Sequence, residues 1–425
     1  MIGEIMKQDI RLTIFCLTYN HKQFIKDAVE SFLAQQTTFK TRILIFDDLS
    51  TDGTTEILRE YQKKYPEQIK LVVAPYNTYN HPDREKILGE VYEKYLAGEY
   101  VAWCEGDDFW TDPYKLQKQV DFMDNNPDCM MTTHAFTVID YSNEEKYKKK
   151  SFGNANRYIS AEEIITKPDG NLATASLVMR KKIFLRDDKY PKTDVGDFPL
   201  QLYAIVYGTV FYFSEDMCSY RYMHKGSWSK TNNDNYIKRY EHSLGFARFL
   251  IKYNTYSKNK FENYIWDIIK DYLYTAIEAL LSVNNEQQTR IVKSLERKKD
   301  FLYTEFLRVY NIMHASDYVI SDEIKKQLDT REIAILGAGK YSNYLVTIFE
   351  NNDIKYEGCF ITHKDEKYAD IPTLDEFLLC KDDPEVYVGI SQRQEKEIVE
   401  YIRQKNLKKV VYPLWFDKKL LLRDE

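Results

Sequence analysis

Apolar residues in the first 140 positions follow two alternating periods. Short runs from Leu12 to Leu17, Arg42 to Phe46, Ile69 to Ala74 and Glu99 to Cys104 have the length and density of buried strands. Between them the spacing is helical. Phe24, Ile25, Ala28, Val29, Phe32 and Leu33 share one face, and Thr54 to Tyr65 and Arg84 to Leu96 read as two further helices. Ser50 or Asp52 is placed to cap the second helix, and Pro113, with Asp112 before it, opens another at its first turn. Such alternation predicts an α/β fold with a doubly wound, mostly parallel sheet. Sheets of this kind bind ligands at the carboxyl ends of their strands. Three polar turns fall there: Thr18-Tyr19-Asn20, Asp47-Asp48 and Glu105-Gly106-Asp107-Asp108.

The pattern then changes. Met130 to Asp140, Ala173 to Arg180 and Thr209 to Ser214 read as strands, and Phe198 to Tyr207 as an apolar helix. Residues 233 to 328 carry helical periodicity and many charges but no motif. Alternation resumes near residue 330, with strands at Ile333 to Leu336, Tyr356 to Ile361, Val386 to Ile390 and Val410 to Tyr412. Helices fall around Tyr344 to Phe349 and Glu395 to Gln404. The chain is therefore expected to hold a first domain over 1–230, a helical linker or packing region over 231–329, and a small Rossmann-like α/β domain over 330–425.

Composition narrows the function classes. With 44% hydrophobic residues in 425, the chain can build real cores. A net charge of −6 with interspersed signs lacks the basic stripe that nucleic acid demands. Six scattered cysteines without paired spacing suggest a reducing, cytoplasmic compartment and no structural zinc. The polar segment from Met1 to Arg11 does not read as a signal peptide, and no run is long enough to span a membrane. Peripheral contact with the inner face of a membrane, and a homo-oligomer surface on the helical region, stay open. The 35 tyrosines accompany abundant Lys, Asn and Ile and read mainly as compositional bias.

The acidic turn at 105–108 places three carboxylates within four residues, directly after a strand. Their repulsion raises their pKa values unless positive charge compensates. A divalent cation with a taste for hard oxygen ligands, Mg²⁺ or Mn²⁺, meets that need and implies a phosphorylated substrate. Asp107 would ligate a metal bridging two phosphates. Glu105 would contact ribose hydroxyls or the metal through water, and Gly106 would let the diphosphate approach the backbone. A solvated turn capping the next helix is the bland alternative.

These motifs also carry a family resemblance. Phe15-Cys16-Leu17-Thr18-Tyr19-Asn20, Ala28 to Gln35, Ile45 to Thr54, the acidic turn, and Asp112-Pro113-Tyr114-Lys115-Leu116 together resemble a family 2 glycosyltransferase with the GT-A fold. Glu105 stands where that family usually has Asp. The resemblance implies that Thr18 and Asn20 lie against a nucleotide, with Asp48 on its base or ribose, and places Tyr19 and Asp47 in the same wall. For Asp47 and Asp48 the alternative is helix capping; for Tyr19, packing. Asp197 resembles the family's acceptor-side acid and would be the catalytic base, with Asp194 as runner-up and an ordinary helix cap as the alternative. Tyr220-Arg221-Tyr222-Met223-His224-Lys225 resembles a Tyr-Arg-x-x-His element. Arg221 and Lys225 would neutralise the leaving diphosphate, His224 would ligate the metal, and Trp228 would stack on a sugar or staple the loop.

The expected function is inverting transfer from a nucleotide-diphosphate sugar, UDP by default, to a glycan or lipid-linked hydroxyl in bacterial surface polysaccharide assembly. Two alternatives remain. A sugar-nucleotide nucleotidyltransferase would need a Gly-rich basic loop where Thr18-Tyr19-Asn20-His21 stands. A non-catalytic scaffold would draw on the C-terminal unit, where Gly337-Ala338-Gly339 begins a dinucleotide fingerprint that Ser342 leaves incomplete.

Overall fold

The computed structural model describes residues 10–79, 81–142, 147–166, 172–193, 197–298, 325–326, 328, 331–337, 340–362, 370–380, 384–388 and 395–411. The chain forms two compact units. One takes the chain up to Asn235 together with Arg248–Ile268; the other takes Tyr236–Ala247 and the chain from Ile269 onward.

The first unit is built on a ten-stranded sheet: β1 Ile10–Thr18, β2 Lys40–Asp47, β3 Ile69–Val73, β4 Tyr100–Trp103, β5 Phe109–Trp110, β6 Cys129–Asp140, β7 Tyr147–Lys150, β8 Arg157–Ile159, β9 Val178–Arg180 and β10 Thr209–Tyr222. The main path runs β3-β2-β1-β4-β9-β6-β10-β5. The first four strands are mutually parallel, as their near-continuous apolar runs require of strands covered on both faces. Helices at Ile25–Leu33, Thr54–Lys64 and Arg84–Tyr95 supply the crossovers. The first buries Ile25, Ala28, Val29 and Phe32 on the core and leaves its polar side to solvent. Beyond β4 the sheet is mixed, because β9 inserts antiparallel between β4 and β6.

Two elements depart from the sequence pattern. The strand expected over Ala173 to Arg180 starts only at Val178, and Thr174–Ser176 forms a 3₁₀ turn. The Ser176 hydroxyl donates back to the Ala173 carbonyl at 2.7 Å, the local bonding by which Ser and Thr compete with a ladder. The strand expected to stop at Ser214 continues to Tyr222, carried past Ser214-Glu215-Asp216 by register shifts around Asp216. The helix after Pro113 also begins later, at Lys115, with Asp112 accepting the Tyr114 N–H at 2.7 Å.

The second unit holds a four-stranded parallel sheet, β11 Ile333–Leu336, β12 Gly358–Phe360, β13 Glu385–Val388 and β14 Val410–Val411, in the order β12-β11-β13-β14. Ala334, Leu336, Phe360, Val386, Val388 and Ile398 form its core. Ala338 and Gly339 of the incomplete fingerprint lie outside the described residues. No described helix is long and apolar enough to cross a membrane.

Candidate active site

From β1 the chain winds outward to β2 and β3, then returns to place β4 on the other side of β1. The carboxyl ends of β1 and β4 therefore flank a topological switch point, where such sheets open a crevice. The turn after β1 and the acidic turn after β4 both lie there. They start side by side: Phe15 pairs with Trp103, and the Gly106 N–H donates to the Leu17 carbonyl at 3.0 Å. A Cβ on Gly106 would stand 2.6 Å from Thr18 Oγ1 and 2.9 Å from Ile25 Cδ1. The absent side chain lets the acidic turn pack on Thr18 and Ile25.

Two acids of the turn differ in burial and partners. Asp108 is buried; its Oδ1 accepts the Arg221 N–H at 2.8 Å, and its Oδ2 has no hydrogen-bond partner among the described residues. Asp107 is half-buried, with Oδ2 2.9 Å from His224 Nε2 and 3.7 Å from His21 Nε2. One oxygen each from Glu105, Asp107 and Asp108 lies within 4.8 Å of the others. β5 explains how the distant His224 arrives. Trp110 and Phe109 pair with Cys218 and Ser219 of β10, so the chain that follows β10 is laid back over the turn.

Burial, reinforced by Asp107 and Asp197, pushes Glu105 up to about 8. Burial and the Asp107 charge hold Asp108 well above the usual carboxylate range. Burial acts on Asp107 in the same direction, but His21 and His224 outweigh it and hold it below that range. Without a cation the three acids thus keep only part of their charge.

The residues fit a divalent metal. Asp108 Oδ2 is a buried orphan oxygen. His224 Nδ1 lies 3.1 Å from the Lys225 carbonyl, an acceptor, so Nδ1 carries the proton. Its Nε2 then faces a carboxylate oxygen, which requires either a second proton or a shared cation; the second is the usual outer-shell arrangement of a metal-binding histidine.

Asp197 is the first residue of the helix Asp197–Tyr207. Its oxygens accept the Phe198 N–H at 2.8 Å and the Thr174 hydroxyl at 3.1 Å. Burial raises its pKa. Its charge contributes to the rise at Glu105, so the two carboxyls share a neighbourhood. Asp194 lies outside the described residues.

The other expected site residues divide. Arg221 is turned inward: its guanidinium donates to the Asp107 carbonyl at 2.7 Å, pairs with Asp27, and lies over the rings of Phe24 and Phe109. It braces the acidic turn through these contacts. Lys225 is exposed, and Trp228, 49% exposed, begins a short helix capped by Ser227. Asp47 is engaged within its own turn, accepting from Ser50 N–H, Ser50 Oγ and the Thr55 hydroxyl. That use favours the capping alternative over nucleotide contact.

Asp48 Oδ1 accepts both the N–H and hydroxyl of Thr78 at 2.7 Å, while Oδ2 meets Arg84 at 3.3 Å and keeps acceptor capacity. Asn20, at φ 56°, donates its N–H to Ser50 Oγ and accepts the Thr51 N–H, tying the first two loops together. Thr18 is buried against His21, and Tyr19 is exposed. Three participants have no motif in the sequence reading: His21, Arg84 and Thr174. His21 follows Thr18-Tyr19-Asn20 directly, so its position at a strand's carboxyl end was the available signal.

The fold and site define an α/β domain with a doubly wound, mostly parallel sheet and an acidic turn of three gathered carboxylates at the carboxyl ends of its strands. Residues 13–186 match the family model described as "Glycosyl transferase family 2". An uncharacterized protein of Mycobacterium tuberculosis (strain ATCC 25618 / H37Rv) is 30% identical over 229 residues, 52% of this chain. The match spans 62% of that relative's length. A Bacillus subtilis (strain 168) glycosyltransferase, TuaG, whose name places it provisionally in teichuronic acid biosynthesis, is 34% identical over 131 residues, 31% of this chain and 46% of its own. The crystal structure of Staphylococcus aureus TarS 1–349 in complex with UDP aligns with TM-score 0.47 and 14% identity, covering 70% of this chain and 81% of that one.

Proposed function

We propose that this protein is an inverting glycosyltransferase that moves a sugar from a nucleotide diphosphate to a hydroxyl of a glycan or lipid-linked glycan. The observation that carries the reading is the gathering of one oxygen each from Glu105, Asp107 and Asp108 at the switch point, with His224 against Asp107 and the half-buried Asp197 carboxyl near Glu105. Asp107 and His224 would hold the metal, with Asp108 Oδ2 or Glu105 completing the acidic side. A mixed carboxylate and imidazole set favours Mn²⁺ over Mg²⁺. When bound, the ion supplies positive charge for the departing diphosphate.

The chain's own residues do the rest. Arg221 holds the acidic turn in place through the Asp107 carbonyl. Thr174 and the Phe198 N–H orient the Asp197 carboxylate. As the acceptor oxygen bonds to the anomeric carbon, the bond from that carbon to the diphosphate oxygen breaks. Asp197 takes the acceptor proton. One base and no enzymic nucleophile imply a single displacement, hence inversion. Uridine as the base follows the family resemblance, with Asp48 and Asn20 on the nucleoside side. The provisional role of the Bacillus relative in teichuronic acid biosynthesis supports a place in bacterial surface polysaccharide assembly.

The test is incubation with a panel of UDP-, GDP- and dTDP-sugars, with and without Mn²⁺, following release of nucleoside diphosphate. One donor consumed only with metal supports the reading. Pyrophosphate release from a nucleoside triphosphate and a sugar phosphate would replace it with nucleotidyl transfer, and inertness toward the whole panel would favour a scaffold.

A further inference from the structure

We infer that His21 is the side chain that grips the leaving diphosphate, an inference that rests on the glycosyl-transfer reading above. Departure of a nucleoside diphosphate puts negative charge on its terminal phosphate, and a catalyst needs a donor aimed there. The sequence offers Arg221 and Lys225 for the task. Arg221 is occupied behind the acidic turn, and Lys225 faces solvent.

His21 stands inside the crevice, after the carboxyl end of β1. The buried Thr18 hydroxyl lies 3.2 Å from its Nδ1. Thr18 has no other side-chain hydrogen bond among the described contacts, and a buried hydroxyl needs an acceptor. Donation to Nδ1 fixes the tautomer, leaving the ring proton on Nε2. Nε2 lies 3.7 Å from Asp107 Oδ2, beyond hydrogen-bond length, while the same oxygen is already engaged by His224 at 2.9 Å. A donor is thus held beside Asp107 with no acceptor at bonding distance among the described residues, and 15% of its side chain remains accessible. The geometry suits an anionic oxygen entering next to Asp107. Protonation does not alter the role, since imidazole and imidazolium both present Nε2–H.

Local structure does not explain the ring. The helix that follows is started by the His21 backbone carbonyl, which accepts the Phe24 and Ile25 N–H groups at 2.8 Å each. Any residue could supply that carbonyl.

The experiment compares wild type, His21→Ala and His21→Gln, the last keeping an N–H donor at nearly the same reach. Binding of UDP, GDP and dTDP is measured by calorimetry with Mn²⁺, then binding of the monophosphate of whichever diphosphate binds wild type best. Mn²⁺ binding alone is followed by electron paramagnetic resonance, and folding by circular dichroism. Loss of one charge-assisted hydrogen bond should weaken diphosphate binding about ten- to a hundredfold in His21→Ala. Monophosphate and bare Mn²⁺ affinity should stay near wild type, and His21→Gln should recover much of the loss. Equal weakening of mono- and diphosphate, loss of Mn²⁺ itself, or a variant that binds like wild type would each overturn the inference. If wild type binds no nucleotide, the glycosyl-transfer reading falls, and this inference falls with it.

Discussion

A carboxylate that takes a proton from a sugar hydroxyl works only while ionised. Burial raises the pKa of Asp197, so the group stays protonated at pH values where an ordinary aspartate has ionised. As the proposed base, Asp197 is occupied below its raised pKa, and activity should grow as pH climbs through it. The acidic limb of the kcat/KM profile should therefore lie above the ordinary aspartate range. Asp197→Asn should lower kcat about 10²- to 10⁴-fold while nucleotide affinity changes little. An unchanged profile in the variant would assign the base elsewhere. Site residues were unequally legible. Three acids in four residues announce themselves by charge density. Arg221 reads as a phosphate partner in sequence because nothing there reveals that Asp107, Asp27 and two aromatic rings surround it.

Elements hold these residues in register. Gly106 allows the acidic turn to lie on Thr18 and Ile25, and Gly106→Ala forces a contact of 2.6 Å to open. Overpacking of that kind should cost roughly 1–3 kcal/mol, measured by denaturant unfolding, and should separate the β1 loop from the metal ligands. On the helix Lys115–Asn125, Lys115 is fully buried over the Trp110 ring, with its ammonium donating to Gln119 at 2.8 Å. Burial lowers its pKa from 10.5 to about 8. Above that lower value the folded state releases a proton that the unfolded state still binds, so this residue makes stability rise with pH until about 10.5. Lys115→Met should flatten that part of the melting-temperature profile; an identical slope would show the lysine to be solvated. The β1 to β4 alternation was readable because buried parallel strands and amphipathic helices have distinct periods. The turn at Thr174 and the long course of β10 were not, because local hydroxyl bonding and a register shift leave no periodicity.

At the scale of the molecule, the proposed catalytic parts all lie in the first unit, and they come together from loops far apart in sequence. Asp107 and His224 are 117 residues apart and meet only because β5 fastens onto β10. Stability should register ligand occupancy. A nucleotide and Mn²⁺ bound at a hundredfold excess over the dissociation constant should stabilise the folded state by about 2.7 kcal/mol. The most direct measurement is a thermal-unfolding comparison of wild type and Asp107→Ala, each with the best-binding nucleoside diphosphate, with Mn²⁺ and after chelation. The expected result is a stabilisation that needs Mn²⁺ in wild type and vanishes in Asp107→Ala. A variant that responds to Mn²⁺ and nucleotide as wild type does would contradict the assignment of the acidic turn as the metal site.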